Sequence, residues 1–147
     1  MKKIIIVLIL LTTIYIIFNK KDYVICTKKS MNQDYTISTN YKIYYKNKEV
    51  YKIELNENIE AKTTSTLNKV MENIEKSYNQ YKNEIGSYDY KITKNKTKGK
   101  TKVIIDYDKM NMENYLKYNP DANLNENKKY NIDTLKKMYE ERGAKCK

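Results

Sequence analysis

Apolar and polar positions alternate with a period of two from Tyr35 to Lys46. Tyr35, Ile37, Thr39, Tyr41, Ile43 and Tyr45 fall on one side, and Thr36, Ser38, Asn40, Lys42, Tyr44 and Lys46 on the other. Successive strand residues point to opposite faces, so this pattern predicts a half-buried β-strand. Asn47-Lys48 supplies a hairpin turn. Tyr51, Ile53 and Leu55, alternating with Lys52, Glu54 and Asn56, predict the returning strand. Val24 to Met31, with Cys26 inside it and Asn32-Gln33-Asp34 as a turn behind it, is a weaker strand candidate ahead of this hairpin.

The period then changes. Leu67, Val70, Met71, Ile74, Tyr78, Tyr81 and Ile85 follow one another at steps of three and four, which makes a single apolar stripe along a helix of about six turns. Thr63 to Thr66 offer N-caps, and Gly86 suits the far end. Alternation returns in Tyr88, Tyr90 and Ile92, and again in Thr101, Val103, Ile105 and Tyr107. This second hairpin has its turn within Asn95–Gly99. Met110 to Tyr118 predicts a short helix broken at Asn119-Pro120. A polar loop runs on to Lys129, and Asn131 caps a last helix with the stripe Ile132, Leu135, Met138 and Tyr139, ended by Gly143. Strands, a long helix, two strands and further helices predict an α+β domain: one antiparallel sheet covered on one face by helices.

Ahead of that domain lies a different kind of sequence. Lys2-Lys3 precede fifteen residues, Ile4 to Phe18, in which only Thr12, Thr13 and Tyr15 carry polar side-chain atoms; Asn19-Lys20-Lys21 end the run. A basic start and an apolar stretch form an export signal or a membrane anchor. A span usually takes about 17–25 apolar residues, and Tyr15 and the flanking lysines can occupy the interfaces. Ile14 to Ile25 contains no Ala, Gly or Ser, so no small-residue cleavage site is visible. Residues 1–21 are therefore expected to be an uncleaved signal anchor. Residues 24–147, roughly 120 residues and one domain, are expected on the extracytoplasmic side of the cell membrane.

Charge narrows the partners. The chain has 29 Lys+Arg against 18 Asp+Glu, a net charge of +11, and Arg142 is its one arginine. Sequence-reading nucleic-acid binders rely on arginine for bidentate contacts, so a nucleic-acid partner is disfavoured. Anionic lipid head groups or anionic wall polymers suit a basic domain outside the membrane. Lys94, Lys96, Lys98 and Lys100 around the second hairpin turn are the candidate contacts, each giving about 1 kcal/mol beside an anionic surface. The outward strand positions Thr36, Ser38, Asn40, Lys42, Lys52, Glu54, Lys91 and Lys102 form a face of mixed sign.

Catalytic chemistry finds little support. The chain has no histidine, and its three glycines, Gly86, Gly99 and Gly143, cannot build a phosphate-cradling loop. Asp106 and Asp108 place two carboxylates at a strand end, but no calcium-loop spacing follows. Glu140-Glu141 fits an exposed helix face. No catalytic residue, metal or cofactor is expected, and the chain does not read as an enzyme.

Three segments in order carry a resemblance: Cys26-Thr-Lys-Lys-Ser-Met31 running into the Tyr35–Tyr45 strand, Val103-Ile-Ile-Asp-Tyr-Asp108 with Met110-Asn-Met112, and Asn131-Ile-Asp-Thr-Leu-Lys-Lys-Met-Tyr-Glu-Glu-Arg-Gly-Ala-Lys-Cys146. Over Val24 to Cys146 the chain resembles the YehR-like family of small bacterial extracytoplasmic lipoproteins. The resemblance implies an extracytoplasmic α+β domain held at the membrane and implies no activity, because the family's function is not established. The chain departs from that pattern at Tyr23-Val24-Ile25, where small residues would precede an acylated cysteine. Cys26 is therefore not expected to be lipidated, and the apolar run would replace the lipid.

An exported domain can oxidise its thiols. Cys26 stands at the start of the domain and Cys146 at its end, and the ends of compact domains often lie close together. A Cys26–Cys146 disulfide is expected, with Cα atoms within about 7 Å. The function expected is an anchored extracytoplasmic binding or accessory module of the bacterial envelope. A structural protein packing against a partner membrane protein is the alternative, and a basic nucleic-acid-binding domain the third.

Overall fold

A computed structural model describes residues 22–147. The signal anchor expected over residues 1–21 lies outside the described residues. Among the described residues no helix is long and apolar enough to cross a membrane.

The strands are β1 (Asp22–Met31), β2 (Tyr35–Lys46), β3 (Glu49–Ala61), β4 (Tyr88–Asn95), β5 (Lys98–Asp106) and β6 (Lys145–Cys146). They form one sheet in the order β4-β5-β3-β2-β1-β6, with every neighbouring pair antiparallel. The helices are α1 (Thr64–Ile85), α2 (Met112–Tyr118) and α3 (Ile132–Glu141). The α+β architecture expected from the periodicities is the one observed.

Local chemistry sets the corners. Asn47 and Lys48 both adopt positive φ, 51° and 65°, the geometry by which a two-residue turn matches the twist of the strands it joins. Thr63 caps α1, its Oγ1 accepting from the Thr66 N–H at 3.1 Å. Gly86 ends that helix at φ 69°, its N–H donating to the Lys82 carbonyl. The Asn131 side chain accepts from the Asp133 and Thr134 N–H groups to start α3.

The core lies on the covered face of the sheet. Leu67 and Met71 of α1 pack on Ile59, and Tyr78 packs on Leu55 and Val103. At the other end Cys26, Ile43, Val50 and Ile53 meet Tyr107, Tyr130, Ile132 and Leu135. Both helical regions lie on this face, and among the described residues no helix covers the opposite one.

Three local expectations change. Tyr51, placed by alternation among the core residues, does not join the core cluster. The register pairs Tyr44 with Lys52 and Tyr45 with Val50. The β-bulge leaves Tyr51 as the extra residue, beside Tyr44 with ring centroids 6.2 Å apart, and puts Val50 into the core instead. Strand β3 also runs past Leu55 to Ala61. The second hairpin turn is only Lys96-Thr97, and Gly99 belongs to β5 opposite Ile59 and Lys94.

Gly99 is buried under α1. A Cβ there would lie 2.5 Å from the Met71 Sδ and 3.2 Å from the Leu67 Cδ1. Helix α1 therefore sits on a strand position that has no side chain. Gly99→Ala is expected to lower stability by about 1–2 kcal/mol, because overpacking outweighs the gain from restricting the unfolded chain. Urea denaturation would read this, and a higher midpoint would mean that Met71 moves aside freely.

The last strand has no counterpart in the expected elements. Lys145 and Cys146 pair with Thr27 and Cys26, and Ile25 exchanges two backbone hydrogen bonds with Lys147. This register brings Cys26 and Cys146 face to face. They form the expected disulfide, with Cα atoms 4.0 Å apart. Its Cys26 sulfur is therefore not free for acylation.

Candidate functional site: the uncovered sheet face

The four lysines singled out by sequence do not converge on one tip. Lys94 donates to Asn68 Oδ1 on α1 at 3.0 Å, so it turns toward the helical side. Lys96 occupies the turn with φ 51°. Lys98 pairs with Glu60 at 3.3 Å on the uncovered face. Only Lys100 is both on that face and without an ion pair among the described residues.

Lys100 has other neighbours of its kind. Lys91 lies directly opposite Lys102 across the β4–β5 ladder, and Thr93 lies opposite Lys100. Asn56 and Asn58 of β3 face Lys102 and Lys100 from the other side. These six residues, with Glu57 and Thr101, border a shallow depression of about 440 Å³. Lys91, Lys100 and Lys102 are exposed, and among the described residues none of the three makes an ion pair. Like charges directly opposite each other on two strands repel. The arrangement gathers three ammonium groups among amide and hydroxyl side chains, with Glu57 also in the lining and Glu54 close enough that the Lys102 charge, after the Lys52 hydrogen bond, lowers its pKa.

At the end of this face where β1 begins, the chemistry is aromatic. Tyr23 and Tyr44 lie 6.0 Å apart between centroids. The Lys42 ammonium sits 4.2 Å from the Tyr23 ring centroid and 5.0 Å from that of Tyr44, and Lys52 sits 4.6 Å from Tyr44. Lys52 also pairs with Glu54 at 2.6 Å, which lowers the Glu54 carboxyl pKa and raises that of the Lys52 ammonium. These lysines are therefore engaged, unlike the trio on β4 and β5.

The carboxylates considered from sequence have structural partners. Asp106 pairs with Lys109 at 3.3 Å and accepts from the Asp108 N–H. Asp108 pairs with Lys129. Glu140 and Glu141 pair with Lys136 and Lys137, one turn back on α3. Among the described residues no group of three or more His, Cys, Asp or Glu side chains could hold a metal ion.

Glu57 is a carboxylate that sequence reasoning passed over. It lies on the covered side of β3, where the alternation calls for an apolar residue. Tyr78 and Thr101 donate hydroxyl hydrogen bonds to its Oε2 at 2.5 and 2.7 Å. A carboxylate satisfied in this way fixes α1 to the sheet. The sequence signal was the acidic residue standing in an otherwise inward register.

No family model matches the chain, and no curated protein matches it. Two solved structures do resemble it in fold. One is the NMR structure of Escherichia coli YehR, with TM-score 0.58 and 18% identity over 86% of this chain and 92% of that one. The other is the NMR structure of a protein from Streptococcus pneumoniae TIGR4, with TM-score 0.53 and 12% identity over 88% of this chain and 86% of that one. At such identities the likeness lies in the backbone arrangement, and on that ground the domain has a YehR-like fold.

Proposed function

We propose that the protein is a membrane-anchored extracytoplasmic binding module that presents its uncovered sheet face to a phosphate-bearing anionic component of the bacterial envelope. The observation carrying this reading is the Lys91, Lys100 and Lys102 trio, held side by side on neighbouring strands, with none of the three in an ion pair among the described residues. A row of phosphates would relieve their mutual repulsion and accept hydrogen bonds from the amides of Asn56 and Asn58.

Location is supported by three features. The basic and apolar pattern of residues 1–21 is that of a signal anchor. The disulfide suits an oxidising compartment. Tyr23 and Tyr44, at the end of the face where residues 1–21 join β1, are of the type that settles at a membrane interface. An extracytoplasmic domain so placed would meet lipid head groups or wall polymers, which share phosphate chemistry.

The test uses the full-length chain reconstituted in neutral phosphatidylcholine vesicles. Binding of soluble polyphosphate is measured at low and high salt, and a parallel arm measures clustering with vesicles containing phosphatidylglycerol. Replacing Lys91, Lys100 and Lys102 together by Gln is expected to weaken binding by about 3 kcal/mol at low salt, roughly a hundredfold. The melting temperature should hardly change, since exposed charges contribute little to folding. Binding to one probe alone would identify the source of the phosphate. Salt-independent or unaltered binding of the variant would refute the reading.

A further inference from the structure

On the covered side of the sheet, away from the lysine trio, residues of α2, the 119–122 loop and α3 line an open recess of about 310 Å³. Its walls are largely aromatic: Tyr107, Tyr115, Tyr118, Tyr130 and Tyr139 all line it. Most of the wall is already fixed. Tyr107, Tyr115 and Tyr130 pack edge to face, with centroids 5.7–6.4 Å apart. The Tyr115 and Tyr130 hydroxyls hydrogen-bond each other at 2.7 Å. The Asn119 amide donates to the Tyr115 carbonyl at 3.1 Å.

Two charged side chains complete the lining, Arg142 at the end of α3 and Asp121 in the loop. Arg142 is the chain's one arginine. Among the described residues neither Arg142 nor Asp121 makes an ion pair, with each other or with any other group. The recess thus offers one guanidinium, one carboxylate and a set of ring faces. That combination of apolar wall and few polar groups is how small-molecule sites are built.

We infer that this recess binds an aromatic α-amino acid as its zwitterion. The ligand's carboxylate lies on Arg142, its ammonium on Asp121, and its ring stacks among the tyrosines. The planar guanidinium can hold a carboxylate through two parallel hydrogen bonds, which a lysine cannot do. Offset or edge-to-face contacts with the wall rings would orient the side chain. A ligand with a single charge would leave Asp121 or Arg142 uncompensated at the recess.

The experiment follows tyrosine and arginine NMR signals of the full-length protein in neutral detergent micelles during titration with three probes. L-phenylalanine carries both charges, phenylacetate lacks the ammonium, and phenethylamine lacks the carboxylate. L-phenylalanine should shift the Arg142 side-chain signal and bind at least about tenfold tighter than either single-charge probe. Arg142→Gln should remove its advantage over phenethylamine, and Asp121→Asn its advantage over phenylacetate. Both positions are exposed, so the variants should keep the wild-type melting temperature. Arg142→Lys should restore only part of the affinity. Equal binding of the three probes, absence of saturation by L-phenylalanine, or variants that leave the ranking unchanged would overturn the assignment.

Discussion

Raising the pH above about 10 is expected to unfold the domain cooperatively rather than titrate its tyrosines one by one. Burial is the first cause that pushes the phenols of Tyr78, Tyr88, Tyr107, Tyr115 and Tyr139 well above their ordinary value. The Glu57 carboxylate adds to this at Tyr78, and the Tyr130 hydroxyl does so at Tyr115. A group whose pKa is higher in the folded state favours folding fully below its unfolded pKa, near 10. That stability is lost as pH climbs toward the folded value. Each such phenol can contribute a loss of up to about 1.4 kcal/mol per pH unit. Two of the five, over two units, would already remove about 5 kcal/mol, comparable with the whole stability of a modest domain. Lysines lose their charge over the same range, which relieves the self-repulsion of a chain at +11, so they are not the source of the unfolding. Phenolate absorbance near 295 nm and far-ultraviolet circular dichroism should move together for this set. Ionisation of the five with the sheet intact would contradict their burial.

The second large effect concerns the disulfide. Replacing Cys26 and Cys146 together by Ala should destabilise the domain by about 3–5 kcal/mol, since the bond closes a loop with a sequence separation of 120. The melting temperature should fall by roughly 10–20 °C. Reduced wild-type protein provides the control, because it loses the bond but keeps the sulfur atoms. If the reduced protein and the double Ala variant melt alike, the loss belongs to the cross-link. If only the Ala variant falls, it belongs to the cavity left at Cys26, which is fully buried. A change under about 3 °C in both would show that pairing of β6 with β1 suffices without the bond.

Much of the scaffold was legible because its periodicities are long and clean. The β2 alternation, the α1 stripe and the caps at Thr63, Gly86 and Asn131 each carry local chemistry that needs no tertiary information. What escaped was tertiary. A strand of two residues, Lys145 and Cys146, has no period. The continuation of β3 hides behind Glu57, whose hydroxyl partners come from α1 and β5. Gly99 looks like a turn residue until Met71 is seen lying over it.

The candidate site illustrates the same limit. Lysines two apart in a sequence share a face only while the strand is unbroken. The two-residue turn between Lys94 and Lys98 sends Lys94 to the helical side and leaves Lys98 and Lys100 on the other. The trio that does form draws one member from β4 and two from β5, a juxtaposition set by register. Arg142 and Asp121, 21 positions apart in the sequence, are placed in the lining of one recess by the tertiary fold alone.

The pairing of β6 with β1 also fixes an order of events. Cys146 follows Cys26 by 120 positions, so its thiol cannot reach its partner until every other strand and helix of the domain has been delivered. Until then β1 presents an open edge beside Cys26, and strand edges of that kind invite pairing with other chains. Oxidation thus follows delivery of β1 to β5 and fastens β6 to the β1 edge. A chain held back before Lys145 and Cys146 would be the form most exposed to mispairing through that edge.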